Sequence, residues 1–318
     1  EVRMANIPSR KPDALGGSEF FRRISSIKNA SEVDSYVYDE IVSGNIPNFL
    51  RNFASINVEN NGNKLTYSVM SNYLCVGSDE DWVMAPVGAV TAQKIADAFG
   101  CTLTTKKMVD QIYSAADVKL TASPIPASSR MTQNSAFLEH SDRIKSQMQG
   151  ANQGRLFAGH KKDVILSNNA GKKGKLGIYG FFDQNGKAIQ AWDISPHDIN
   201  YRDYSHGIRL VDRNAVLNGK PVDLLNDIIK NPQYSGLVID GGPLTVSPYK
   251  SNNQKTKDEK KPLPSGDKSS SEPAKEKNTY EPKSETIAAN EKSDIKGRNM
   301  LLSRLFAYLE DINRNLSS

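Results

Sequence analysis

Apolar residues recur at helical intervals through much of the first half of the chain and alternate through much of the second. Phe20, Phe21, Ile24 and Ile27 line one predicted helix, which Ser18 is placed to cap. Val33, Tyr36, Val37 and Ile41 line the next, capped by Ser31 and stopped by Gly44 and Pro47. Residues 53–59 and 64–76 read as strands joined by a turn at 60–63 containing Gly62. Helices are expected over 91–99 and 105–116, broken at Gly100, and over 134–148, where Phe137, Ile144 and Met148 supply apolar positions. Beyond Arg155 the period changes to two. Residues 156–166, 175–182, 187–192 and 207–211 read as strands, with hairpin-type turns at 171–174 and 183–186. A helix at 224–229 stops before Pro232, and an apolar strand at 237–239 runs into the Asp240-Gly241-Gly242-Pro243 turn. The expected class is α+β: a helical N-terminal half (18–150), a mostly antiparallel β-sheet in residues 155–245, then a disordered linker and a C-terminal amphipathic helix.

The pattern divides the chain into a folded body over 1–249, a linker over 250–297 and a helix over 298–318. The linker is Lys, Glu, Ser, Asn and Pro, with too little apolar surface to offset the entropy of ordering it. In the last segment Leu302, Leu305, Phe306, Leu309, Ile312 and Leu316 share one helical face. That face either folds back on the body or docks on a partner protein or a second copy of the chain. The length of the linker favours docking.

Composition agrees with such a division. Of 318 residues, 37% are apolar, a low share for one globule of that size. The net charge of +5 is too small to announce nucleic-acid binding. No run approaches the ~18 apolar residues of a membrane helix. The chain begins at Glu1 with no apolar leader after it, which fits either a removed leader or a trimmed terminus. Cys75 and Cys101 are the two cysteines. They read as buried small hydrophobes or as one disulfide closing a loop of about 26 residues, worth roughly 3 kcal/mol.

Residues with catalytic potential gather in the second half. Gly159-His160-Lys161-Lys162-Asp163 is a charged run inside an apolar strand. Alternation puts His160 and Lys162 on one face, Lys161 and Asp163 on the other. The run is either an exposed, lysine-protected edge or one wall of a polar cleft. Residues 193–206 form a polar loop with His197, Asp203, Tyr204, Ser205 and His206. Here His206 is the candidate base and Asp203 its orienter, with His160 or Lys162 stabilising developing negative charge. Ser205 is a candidate nucleophile. It needs His160 or His197 as its base, because adjacent residues in extended chain point apart. Arg209 is suited to a substrate carboxylate, and Lys162 and Tyr204 complete a candidate substrate-binding set. Asp240, at a strand end, is either part of a turn or a further carboxylate of the site. Phosphate-loop, dinucleotide, zinc-protease and G-x-S-x-G motifs are missing, so no cofactor is implied. No local ligand spacing for a metal occurs, which leaves only ligands assembled from separate strands, such as His160, His206 and Asp203.

The run Ser205-His206-Gly207-Ile208-Arg209-Leu210 resembles part of the active-site signature of L,D-transpeptidases. In that family Ser-His-Gly is followed by the nucleophilic Cys and then Arg; Ile208 stands at the Cys position. Ile178-Tyr179-Gly180 resembles the family's His-bearing strand, with Tyr in place of His. Both departures fall on reacting groups, so the family's chemistry does not carry over: the run is either a coincidence of sequence or a related scaffold with different chemistry.

Two functions follow from these residues. One is a hydrolase, or a transferase of similar type, using His/Asp general acid–base chemistry on an exported or cell-surface polymer. The tether-like tail suits work outside the cytoplasm. The alternative is a non-enzymatic binding or assembly protein whose tethered helix docks to a scaffold. Convergence of His160, Asp203 and His206 in the fold is what separates them.

Overall fold

The structure, a computed structural model of the chain, describes residues 5–151, 153–246, 249 and 263–264. It opens with α1 (Gly17–Arg23) and α2 (Ala30–Val42), which bury Phe20, Phe21, Val33, Val37 and Ile41, the positions their spacing picks out. The caps differ from expectation. Gly16 stands at the N-cap of α1, and Ser18 instead gives its N–H and hydroxyl to Asp81. Asn29, not Ser31, caps α2, accepting from the Glu32 N–H at 3.0 Å. β1 (Phe53–Asn60) and β2 (Asn63–Met70) form the expected hairpin. Its two-residue turn uses Asn61 (φ 49°) and Gly62 (φ 75°), the left-handed pair that suits strand twist.

The strand expected over 64–76 is interrupted. It ends at Met70, and β3 (Cys75–Gly77) pairs instead with β4 (Trp82–Met84). α3 (Ala89–Ala98), β5 (Cys101–Thr102), α4 (Lys106–Ala115), β6 (Val118–Lys119) and α5 (Asn134–Met148) follow. Then come β7 (Phe157–Ala158), β8 (Lys162–Val164), α6 (Asn168–Lys173), β9 (Ile178–Phe182) and β10 (Ala188–Trp192). The last strands are β11 (His206–Gly207), β12 (Val211–Asp212), β13 (Asn214–Leu217) and β14 (Lys220–Asp223).

Glycine explains one departure. Residues 156–166 are two strands, not one, because Gly159 adopts φ 104° with the Leu120 carbonyl oxygen crowding the place where a Cβ would stand. Residues 171–174 lie at the end of α6 rather than in a hairpin, and the strand expected at 237–239 is a 3₁₀ turn at Ser235–Leu237 and its exit. The β13–β14 hairpin, closed by Asn218-Gly219, has an ordinary hairpin signal that the period-two reading passed over.

The fold is mixed α+β, as the spacing predicts, but its sheets are not confined to the second half. In the larger sheet β2 is central. It pairs β1 on one edge and both β12 and β13 on the other, while β12 continues to β5 and β13 to β14, all antiparallel. The second sheet runs β10-β9-β8-β11, with β11 parallel to β8. One apolar core joins helices and sheets, from Phe20 to Tyr249, and half-buried Leu263 packs against it. Cys75 and Cys101 are buried free thiols.

The parallel β8–β11 contact depends on Gly207. A Cβ there would stand 2.5 Å from a Tyr73 ring carbon and 2.7 Å from the Lys161 Cβ. Gly207→Ala is therefore expected to destabilise the protein by about 1–3 kcal/mol through overpacking, read as a lower urea midpoint at unchanged slope.

Among the described residues no helix is long and apolar enough to cross a membrane. The expected linker, apart from 263–264, and the expected helix over 298–318 with Leu302, Leu305, Phe306, Leu309 and Ile312 lie outside the described residues.

Candidate functional site

Strand pairing joins the two polar segments. His206 lies opposite Lys162, and Gly207 opposite Asp163. The Lys162 N–H donates to the Ser205 carbonyl at 2.8 Å. A charged run and a polar loop, remote in sequence, thus share one place in the fold. From it the side chains diverge into three groups.

The first group contains Asp203, Ser205, His206, Tyr201 and Lys162. The Ser205 N–H donates to Asp203 Oδ1 at 2.8 Å, and the Ser205 hydroxyl donates to the same oxygen. Asp203 Oδ2 lies 3.8 Å from His206 Nε2 and accepts from the Tyr201 hydroxyl at 3.3 Å. His206 is 1% exposed, and among the described residues neither of its ring nitrogens has a hydrogen-bond partner. Half-buried Tyr201 and His197 stack face to face, centroids 3.8 Å apart. Burial pulls the Asp203 carboxyl upward, but His206, Lys162 and the Ser205 hydrogen bonds outweigh it and hold the group at about 2. Burial drives His206 down to about 4 against the pull of Asp203. At neutral pH the pair is a carboxylate beside a neutral imidazole. Burial also lowers Lys162, and Asp203 opposes that shift.

The second group is deeper. Asp163 Oδ2 accepts from the Tyr73 hydroxyl at 2.7 Å, and Oδ1 accepts from Thr104 at 3.4 Å. Arg209 Nε lies 4.0 Å from Asp163, and its guanidinium sits 4.1 Å from the Tyr73 ring centroid. The same guanidinium donates to the Met70 carbonyl at 3.0 Å and to the Phe157 carbonyl at 2.7 Å. His160 belongs here too, with Nε2 3.0 Å from Asn72 Oδ1 and its ring edge-to-face with Tyr73. Burial pushes Asp163 up to about 6 despite Arg209.

The third group surrounds Lys161, which is 1% exposed. Its ammonium nitrogen lies 2.9 Å from His140 Nδ1 and donates to the Tyr204 carbonyl at 2.5 Å. Burial brings Lys161 down to about 7 and holds His140 far below its usual range.

The expected set is therefore divided. Asp203, Ser205, His206 and Lys162 come together. His160 faces Asn72 and Tyr73 instead, although strand alternation groups it with Lys162: Gly159 turns the chain just before it, so strand alternation does not carry through residue 160. Ser205 serves the carboxylate rather than a base. Arg209 is buried with its donors on backbone carbonyls, so it holds strands together where a carboxylate reader was expected. Tyr204 is likewise internal, its hydroxyl accepting from the Ile125 N–H at 2.7 Å. Asp240 is exposed and pairs with Lys107 at 3.2 Å. Sequence reasoning missed Tyr73, Thr104, His140 and Tyr201. Only Tyr201 had a signal, its place two residues from Asp203 in the same loop. Among the described residues no group of three or more His, Cys, Asp or Glu is placed to hold a metal ion.

The His206 shift sets a pH dependence. The unfolded imidazole takes a proton below its usual value near 6.5, while the folded one stays neutral to about 4. Between those values the unfolded state binds more protons, so this contribution is complete above the upper value and is lost as pH falls toward the lower. Wild type is expected to lose melting temperature across that interval more steeply than His206→Gln, by a few degrees, in paired calorimetric scans.

Ile208 and Tyr179, at the positions where the L,D-transpeptidase signature has Cys and His, are a buried apolar residue and a donor to Asp110 at 2.6 Å. Neither a protein-family model, a curated protein nor a solved structure matches this chain.

Proposed function

We propose that the chain is a hydrolase, or a transferase of similar type, in which His206 takes and returns a proton and Asp203 orients it and stabilises its cation. Asp203 and His206 meet but His160 does not join them, so the reading rests on one observation of the pair: a buried imidazole with neither nitrogen hydrogen-bonded among the described residues stands beside a carboxylate fixed by Ser205. Leaving such polar atoms unpaired costs stability, and a side chain kept at that cost is a candidate for chemistry. His140 and His160, by contrast, each keep one nitrogen in a hydrogen bond. A neutral His206 has a lone pair available for a proton. Lys162, across the β8–β11 register, brings positive charge to an oxyanion forming nearby. The Ser205 hydroxyl is committed to Asp203, so the group His206 activates is water or an acceptor hydroxyl rather than Ser205. An exported or cell-surface polymer remains the proposed substrate class, supported by the tether-like composition of residues 250–297.

The test is a panel of p-nitrophenyl esters, aminoacyl anilides, p-nitrophenyl glycosides and cell-wall polysaccharide digests across about pH 5–9. Turnover of one class, lost in both His206→Gln and Asp203→Asn, is expected. No turnover of any class by wild type would sink the enzyme reading in favour of a binding or assembly protein.

A further inference from the structure

Tyr201 touches both members of the Asp203–His206 pair, and a role for it there rests on the acid–base reading of that pair. The tyrosine hydroxyl donates to Asp203 Oδ2 at 3.3 Å. Its ring meets the His206 imidazole edge-to-face, centroids 5.7 Å apart at 69°. It also stacks on His197 with planes 11° apart. Burial and Asp203 raise the phenol to about 12, so it remains a donor throughout the neutral range.

The carboxylate therefore has one oxygen fixed by Ser205 and one facing both the Tyr201 hydroxyl and the His206 imidazole. The hydroxyl is at 3.3 Å and the imidazole Nε2 at 3.8 Å. A full-strength O–H···O bond is about 2.5–3.0 Å, and a full-strength N–H···O bond is at most about 3.2 Å. Neither is made at full strength here. We propose that Tyr201 is a positioning residue: its hydroxyl draws Asp203 Oδ2 away from His206 in the resting protein, and displacing Tyr201 releases that oxygen to the imidazole.

The consequence is chemical. A carboxylate that accepts from one imidazole nitrogen stabilises the imidazolium and makes the ring a stronger base. Burial keeps His206 weakly basic in the resting protein, and a tightened pair brings it nearer the value suited to catalysis at neutral pH. Tyr201 and His197 are half-buried whereas His206 and Asp203 are buried. Tyr201 and His197 thus present ring surface to solvent, whereas the acid–base pair presents almost none. Asp203, Lys162, His197 and Lys161 bear electrostatically on His206, so all four remain wild type wherever Tyr201 alone is changed.

Tyr201→Phe keeps the ring and removes the hydroxyl. The readout is the NMR pH titration of the His206 ring, without substrate, its resonances assigned by their absence in His206→Gln. The expected result is a midpoint raised by roughly 0.5–1 pH unit. In an Asp203→Asn background the same substitution is expected to leave the midpoint in place, because no carboxylate is left to compete for. A purely structural tyrosine would lower the melting temperature without moving the midpoint. An unmoved or lowered midpoint, or an equal rise in the Asp203→Asn protein, overturns the proposal. Should Tyr201→Phe not fold, Tyr201→Leu is read as the difference between its midpoint shifts in the wild-type and Asp203→Asn proteins, since loss of the ring uncovers His206 in both. Since no substrate is present, a failed substrate panel sinks the acid–base reading without altering this titration, and an unmoved titration sinks the positioning role even where turnover is found.

Discussion

His206→Gln is expected to reduce turnover by about 10²–10⁴-fold, the usual worth of a positioned acid–base group, while the protein stays folded. Gln fills a similar volume and cannot titrate near neutral pH. It loses no hydrogen bond of the imidazole, because the imidazole makes none among the described residues. The melting temperature above pH 7 should therefore stay within a few degrees of wild type. Kinetics on whichever panel substrate is turned over, with calorimetry on the same preparations, checks both halves. A variant that unfolds at room temperature would make His206 a structural residue. One that folds and turns over at the wild-type rate would remove it from the chemistry.

Arg209→Met should have the opposite signature, a large loss of stability. The guanidinium is 1% exposed, donates to the carbonyls of Met70 and Phe157, lies over Tyr73 and stands 4.0 Å from Asp163. Removing it orphans two buried carbonyls and leaves Asp163 without its cation. Breaking a buried ionic contact by deleting one partner typically costs about 3–5 kcal/mol. For a body of this size that corresponds to a melting temperature lower by roughly 10 °C. Arg209→Met/Asp163→Asn should recover part of the loss, because the uncompensated charge is gone while the carbonyls remain unpaired. A single variant as stable as wild type would return Arg209 to the candidate substrate-binding residues.

The contrast between His206 and Arg209, three residues apart, marks how far the residues could be read without the fold. Both stand in a short polar run that looks like a site. Among the described residues one imidazole has no hydrogen bond and one guanidinium is committed to backbone. No local pattern distinguishes them, since the carbonyls of Met70 and Phe157 come from distant segments. Lys161 is a similar case. Alternation places it opposite Lys162, yet nothing local indicates that it enters the interior to meet His140 and the Tyr204 carbonyl.

Periodic spacing by itself determined the α+β class, the helices ending at Val42, Ala98, Ala115 and Met148 to within a few residues, and the hairpin of β1 and β2. Those features are local: side chains that must share a buried face recur at the period of the backbone that carries them. The density of titratable groups in residues 193–206 also marked the loop holding Asp203 and His206. Only the tertiary structure decided that β11 lies parallel to β8, that strands from both halves share one sheet, and that His160 leaves the Asp203–His206 pair for Asn72 and Tyr73. These are long-range choices, set by how whole elements bury their apolar faces together and by close approaches such as Gly159 on Leu120 and Gly207 on Tyr73. A pairing between remote strands leaves no periodic mark in either strand alone, so the residues of the site were legible before their partners were.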